Sequence, residues 1–165
     1  MCIAVIWVEL VVPGLQTCQR VKREGEMVFE WTDSLSVGNA MMDADHQNLI
    51  GMIRAVEHAL RSGDCVVLSQ SFQLLLYGVG IHFANEERLA LALELPFDQH
   101  KKLNRAQQYE LEHMRTELEA KSGIWSGGAV EHFSCSLRNW LSEHIGRDGE
   151  RLRPVLAAHP YHFKP

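Results

Sequence analysis

Cysteine is sparse in this chain, and its spacing excludes several common kinds of site. The four cysteines are Cys2, Cys18, Cys65 and Cys135, and no two of them form a Cys-x-x-Cys pair. Zinc ribbons, zinc fingers and thioredoxin-type redox motifs depend on such pairs. We therefore expect reduced thiols in a cytoplasmic protein, with Cys65 and Cys135 buried as small apolar side chains.

Blocks of positive charge and long apolar runs are also missing. The chain has 16 Lys and Arg against 21 Asp and Glu, a formal net charge of −5. Nucleic-acid binding needs a basic face, so we expect no nucleic-acid partner. The apolar run at residues 3–12 is well short of the roughly twenty residues that span a bilayer, so we expect no membrane partner either.

Alternation of apolar and polar residues with period two, which would indicate strands, is absent over any useful length. Apolar residues instead recur at intervals of three and four in segments 43–61, 68–93, 100–118 and 130–148. These segments end near Gly63, Pro96, Gly123, and Gly149 followed by Pro154. Four helices with short links predict an all-α fold, an antiparallel up-down-up-down four-helix bundle.

The domain organisation follows from where this periodic pattern starts and stops. Residues 1–26 are expected to be an N-terminal extension outside the native domain, and residues 27–156 to form the helical domain. The domain would open with an irregular N-terminal arm before the first helix. Residues 157–165 would form a short C-terminal tail.

Histidine is the residue in excess, at nine of 165 positions. The predicted inward faces carry a set of polar residues: His46, His82, Glu86, His100, Asn104, His144 and Asp148. Six of them form pairs four residues apart, and such pairs project from the same side of a helix. Buried carboxylates are costly unless they are paired or bind a metal. The set therefore predicts a metal site shared by four helices.

The ligand types narrow the choice of metal. Imidazole and carboxylate without thiolate fit iron, manganese or zinc. Two carboxylates that are able to bridge, Glu86 and Asp148, indicate a dinuclear site. A ferritin-like site would need two Glu-x-x-His motifs. The one formal match is Glu110 with His113, and His113 lies off the apolar face of its helix, which argues against that alternative.

Several short motifs, in this order and spacing, resemble those of a known family. They are Trp31 with Leu35-Ser36-Val37-Gly38, Met42-Asp43-Ala44-Asp45-His46, His82-Phe83-x-x-Glu86-Glu87, His100-Lys101 and Trp140-Leu141-x-x-His144-Ile145. Over residues 27–154 the chain resembles the bacterial hemerythrins. The resemblance implies a four-helix bundle that holds two non-haem iron ions (Fe2+/Fe3+) joined by an oxo or hydroxo bridge and that binds O2 reversibly.

The resemblance also implies roles for individual residues. His46 and His82 resemble the ligands of one iron, His100 and His144 resemble two ligands of the other, and the bridging carboxylates would be Glu86 and Asp148. Asn104 stands where the family has a further histidine, so it is a weak or vacated ligand position. Asp148 follows His144 by four residues, whereas the family has five.

The expected function is that of an oxygen carrier, store or scavenger, and not of an enzyme. Two alternatives stay open. One is a module that senses O2, redox state or NO and contacts a protein partner through the N-terminal arm or the C-terminal tail. The other is a di-iron oxidase, peroxidase or NO-handling enzyme that uses an opening at Asn104. A bundle with a degenerate centre that binds one metal ion or none is the remaining possibility.

Overall fold

Four long helices make up most of the protein. The computed structural model describes residues 21–23 and 26–165. The helices are α1 (Ala40–Ser62), α2 (Cys65–Ala92), α3 (Asp98–Ala120) and α4 (Gly127–Leu156). The prediction of four helices is confirmed, and their arrangement is consistent with a four-helix bundle.

Local sequence signals set half of the helix ends. The Asn39 side chain accepts hydrogen bonds from the first backbone N–H groups of α1, and Asp64 does the same for α2. Ser126 accepts a hydrogen bond from Ala129 N at the start of α4. Between α1 and α2, Gly63 adopts a left-handed conformation with φ of 69°, which a residue without Cβ tolerates at a helix C-terminus.

Helix α4 continues further than its sequence predicts. Gly149 and Pro154 were expected to end the helix, but both lie inside it and it reaches Leu156. Leu152 and Leu156 are buried at 0% and 2% exposure. Pro154 lies in the last turn, so it removes one hydrogen bond near an end where few remain. Burial of the two leucines outweighs the low helix propensity of glycine and proline here.

Two short strands, at the end of the predicted extension and the start of the arm, were not predicted. Strands β1 (Val21–Arg23) and β2 (Glu26–Val28) pair antiparallel with Val21 opposite Val28. A single 3-10 turn follows at Asp33–Leu35. The strands are three residues each, too short for an alternating pattern to predict them. Most of the expected extension, residues 1–20, lies outside the described residues.

Two apolar clusters pack between the helices. The larger one contains Leu49, Ile53, Phe72, Leu75, Val79, Leu111, Leu137 and Leu141 among others, all at most 1% exposed. The smaller one contains Val37, Met42, Leu89, Leu152 and Leu156. Along α1, α2 and α4 the polar residues of interest fall between the members of these two clusters.

The C-terminal tail, residues 157–165, docks on the start of α1. Ala40 N donates to Tyr161 O at 2.9 Å, and Asn39 Nδ2 donates to Phe163 O at 2.8 Å. Tyr161 Oη donates to Asp43 Oδ2 at 3.1 Å. Phe163 packs against the smaller apolar cluster.

Helix α2 is the most apolar of the four. By length and composition alone it is able to cross a membrane, and one third of its most apolar window is buried inside the protein. A core helix of a bundle passes the same test, so this single helix is weak evidence for a membrane span.

Both described cysteines are exposed, which corrects the expectation that Cys65 and Cys135 are buried. Cys65 opens α2 beside the exposed link at Gly63-Asp64, and Cys135 lies on the outer face of α4. Cys2 and Cys18 lie outside the described residues.

Candidate metal centre

The structure brings all seven predicted polar residues together inside the bundle. His46 comes from α1, His82 and Glu86 from α2, His100 and Asn104 from α3, and His144 and Asp148 from α4. Their exposed fractions range from 0% to 8%. The three remaining histidines within the helices, His58, His113 and His132, lie exposed on the outer faces.

Three imidazoles and one carboxylate form a first group. Asp148 Oδ2 lies 3.2 Å from His46 Nε2, 3.6 Å from His82 Nε2 and 3.3 Å from His144 Nε2. The Nε2 atoms of His82 and His144 are 2.6 Å apart. Four donor atoms within 4.8 Å of one another match the spacing that a bound metal ion requires.

Glu86, His100 and Asp148 form a second group. His100 Nε2 lies 2.5 Å from Glu86 Oε1 and 3.4 Å from Asp148 Oδ1. Asn104 Nδ2 donates to Glu86 Oε2 at 2.8 Å, so the asparagine contacts the carboxylate directly. This group has three ionisable donors and one amide at its edge.

Asp148 belongs to both groups and presents one oxygen to each. Because α4 is continuous through Gly149, the spacing of four residues places Asp148 on the same face as His144. No local unwinding is needed for the carboxylate to reach the centre. The Asp148 carboxylate therefore lies within the cluster although it follows His144 by four residues and not by five.

The grouping of the histidines differs from the partition that the resemblance implies. His144 was expected on the same iron as His100, but its Nε2 lies with those of His46 and His82. Asn104, expected to be a weak or vacated ligand position, donates from its amide Nδ2 to Glu86 Oε2.

Residues around the two groups orient the imidazoles. Gln107 Oε1 lies 3.1 Å from His144 Nδ1, which fixes that nitrogen as the protonated one and leaves Nε2 free to bind. Trp140 stacks on His144 with ring centroids 6.0 Å apart and donates from Nε1 to Gln107 O. Asp45 Oδ2 lies 3.7 Å from His82 Nδ1 and accepts a hydrogen bond from Asn85.

Sequence reasoning assigned no role to Gln107, Asp45 or Arg151. Gln107 follows Asn104 by three residues on α3, a spacing that puts both on one side of the helix and could have indicated its contact with His144. Arg151 Nη1 lies 3.7 Å from Glu86 Oε1, beside the second donor group. Arg151 follows Asp148 by three residues and so shares its side of α4, which was the only feature of the sequence that could have indicated this contact.

The cluster shifts the pKa values of its members in opposite directions. Burial lowers the pKa of His46. For His82, the hydrogen bonds to Asp148 and Asp45 and the charges of Asp148 and Glu86 outweigh burial and raise the pKa to about 9. For His100, Asp148 and Glu86 likewise outweigh burial and raise the pKa to about 9. Burial alone would raise the pKa of Asp148, but the surrounding histidines hold it well below its usual range.

The donor set fits one or more metal ions. Asp148 Oδ1, Glu86 Oε1 and His100 Nε2 are buried without hydrogen-bond partners, and two facing imidazole nitrogens at 2.6 Å compete for a single proton. A cation between these atoms would satisfy all of them at once. The buried His, Glu and Asp groups are thus able to hold metal ions.

In comparisons with known proteins, no protein-family model, curated protein or solved structure matches the chain.

Proposed function

We propose that this protein is a bacterial hemerythrin-like carrier, store or scavenger of O2 that binds two non-haem iron ions. The observation that carries the proposal is the pair of buried donor groups that share Asp148. Two groups with one carboxylate in common are the arrangement that a bridged dinuclear centre needs. We prefer iron and O2 because the motifs around Trp31, His46, His82 and His144 resemble those of the bacterial hemerythrins.

The predicted up-down-up-down order belongs to the same proposal. The smaller apolar cluster takes its residues from the beginning of α1 and from the last turns of α2 and α4. An antiparallel arrangement of α1 against α2 and α4 would bring these ends together.

When bound, ferrous iron would supply the electrons that O2 binding requires and take them back on release. The chain's own residues hold the ligands and exclude water. Phe83 packs beside His82 and His144, with ring centroids 5.7 and 5.3 Å away, and Trp140 stacks on His144. The apolar clusters lie on both sides along the helices. Such a surrounding slows irreversible oxidation because water and protons reach the centre poorly.

Iron content combined with visible spectroscopy tests the proposal. Protein loaded with Fe2+ without air should contain up to two iron ions per chain. Its visible absorption should appear when O2 is added and disappear when O2 is removed. Absorption that never reverses, or protein without iron, would contradict it.

Two histidines of the same helix provide a matched pair of variants. His46→Ala removes a buried donor of the first group and should abolish the reversible absorption. His58→Ala changes an exposed histidine three turns along α1 and should leave both iron content and spectrum unchanged. An equal effect of both substitutions would contradict the assignment of the site.

A sensing module is the second candidate, and the docked tail favours it. Tyr161 hydrogen-bonds Asp43, which lies one turn before His46 on α1. A change in the ligation of His46 would reach the tail through this turn, and the freed tail would contact a protein partner. Protease cleavage within residues 157–165 that depends on the oxidation state would support sensing. Cleavage independent of it would favour the carrier.

An enzyme remains the third candidate because the second group has few protein ligands. With Asn104 bonded to Glu86, positions around a metal ion there would be left to water or substrate. Turnover of peroxide or NO above that of free iron would support this alternative. The cytoplasmic location, and the absence of nucleic-acid and membrane partners, remain proposals from composition.

A further inference from the structure

The two donor groups are unequal in the number and charge of their ligands. The first offers three imidazole nitrogens and Asp148 Oδ2, four donors within 4.8 Å of one another. The second offers only Glu86, His100 and Asp148. Because affinity rises with the number of preorganised donors, the first position is the better metal site.

The Glu86 carboxylate lies beside nitrogen atoms of three other side chains. Asn104 Nδ2 donates to its Oε2 at 2.8 Å, His100 Nε2 approaches its Oε1 to 2.5 Å, and Arg151 Nη1 lies 3.7 Å from the same oxygen. The carboxylate is completely buried, and the cationic guanidinium compensates its charge. A metal ion at this position would have to displace these partners.

Arg151 is held in this place from outside the centre. Its Nη2 donates to Pro96 O, and its guanidinium lies 5.0 Å above the Phe97 ring. Phe97 in turn packs against His100, with ring centroids 5.3 Å apart. Only 20% of the arginine side chain is exposed. The positive charge therefore stays beside Glu86 and repels a second cation.

We propose that the chain binds one metal ion tightly at His46, His82, His144 and Asp148, and a second one weakly at Glu86 and His100, where Arg151 opposes it. The inference rests on the proposed metal centre. Its consequence is that the dinuclear form, which the proposed O2 binding requires, is present only when the metal concentration is high. Arg151 would then set the metal level at which the protein becomes active.

A metal titration of the full-length chain tests the proposal. Metal-free protein is dialysed without air against increasing concentrations of free Fe2+, and separately of Co2+, and the metal per chain is measured by elemental analysis. The expected curve has two steps of one ion each, and the second step requires at least about tenfold more free metal.

Variants at Arg151 and Asn104 test separately whether the positive charge or the missing donor weakens binding of the second metal ion. Arg151→Met removes the charge but keeps much of the side-chain bulk, and it should move the second step to lower metal concentration by about tenfold. Arg151→Lys keeps a positive charge and should leave the step near its original position. Asn104→His adds a donor and should also strengthen the second step. Arg105→Met, an exposed arginine on α3, is the control and should change nothing.

The outcomes distinguish this inference from the proposed function. Two ions that bind in a single step would overturn the inference and leave the dinuclear centre intact. Binding of no ion would overturn both. A weak second step that does not respond to Arg151→Met would overturn the role of the arginine. Circular dichroism of each variant checks that the helices are retained, and Arg151→Lys gives a readout even if Arg151→Met does not fold.

Discussion

At the scale of single residues, the orientation of one imidazole depends on a glutamine that binds no metal. Gln107 Oε1 accepts from His144 Nδ1 at 3.1 Å, and the Gln107 backbone carbonyl accepts from Trp140 Nε1 at 3.2 Å. One residue of α3 thus holds both the histidine and the ring stacked on it. Such partners commonly change metal affinity by about 10- to 100-fold when they are removed.

We predict that Gln107→Leu weakens binding of the first metal ion by about tenfold or more, because His144 Nδ1 loses its acceptor. Competition with a chromophoric chelator measures this affinity. Gln107→Glu keeps an acceptor at the same position and should restore most of it. Gln108→Leu, at the neighbouring position, is the control. Unchanged affinity in Gln107→Leu would show that this hydrogen bond does not position the ligand.

At the scale of elements, the first turn of α1 connects the C-terminal tail to the centre. Asn39 is completely buried and has two roles. Its Oδ1 accepts from Met41 N and Met42 N at 3.2 and 3.3 Å, and its Nδ2 donates to Phe163 O at 2.8 Å. Asp43, in the same turn, accepts from Ser36 Oγ, Val37 N and Tyr161 Oη. This turn is therefore anchored by the arm and by the tail.

We predict that Asn39→Ala lowers the free energy of unfolding by about 2 kcal/mol, since it removes a helix cap and a partly buried hydrogen bond. Urea denaturation followed by circular dichroism measures the change. Asn39→Asp keeps the capping oxygen but loses the donor to Phe163, and about half of the loss should remain. If Asn39→Asp were as stable as the original chain, the contact with the tail would contribute nothing.

At the scale of the whole molecule, the sequence predicted most of what is repeated along the helices. Apolar residues at intervals of three and four predicted the four helices, the buried leucines and the polar residues between them, because helical periodicity is set by local geometry. The sequence did not predict features that depend on tertiary contacts. The continuation of α4 through Gly149 and Pro154 and the approach of Arg151 to Glu86 arise from packing between distant segments, whereas the hairpin strands are too short for a sequence pattern to indicate them.

The raised pKa values in the metal-free centre give a prediction for the whole protein. His82 and His100 both have a pKa of about 9, raised from 6.5. Their contribution to stability is therefore fully present below pH 6.5 and is lost as the pH rises through 9. Metal ions need the deprotonated imidazoles, so binding releases these protons and is opposed by low pH.

We predict that the metal-loaded protein gains thermal stability over the metal-free protein as the pH rises from 6.5 to 9. Apparent affinity for each metal ion should increase by up to about tenfold per pH unit in the same interval, because each donor group releases one proton. Parallel thermal denaturation of both forms, at equal ionic strength, measures the difference. A difference in melting temperature that stays constant with pH would contradict protonated histidines at the site.

The location of bound metal tests the central claim most directly. Crystals of the full chain grown with Fe2+ in the absence of air would be measured on both sides of the iron absorption edge. The anomalous map should show a strong peak among His46, His82 and His144, and a weaker one between Glu86 and His100, with Asp148 between the two. A map without a peak in the bundle, or with iron only at exposed histidines such as His113, would contradict the assignment of this buried cluster as a metal centre.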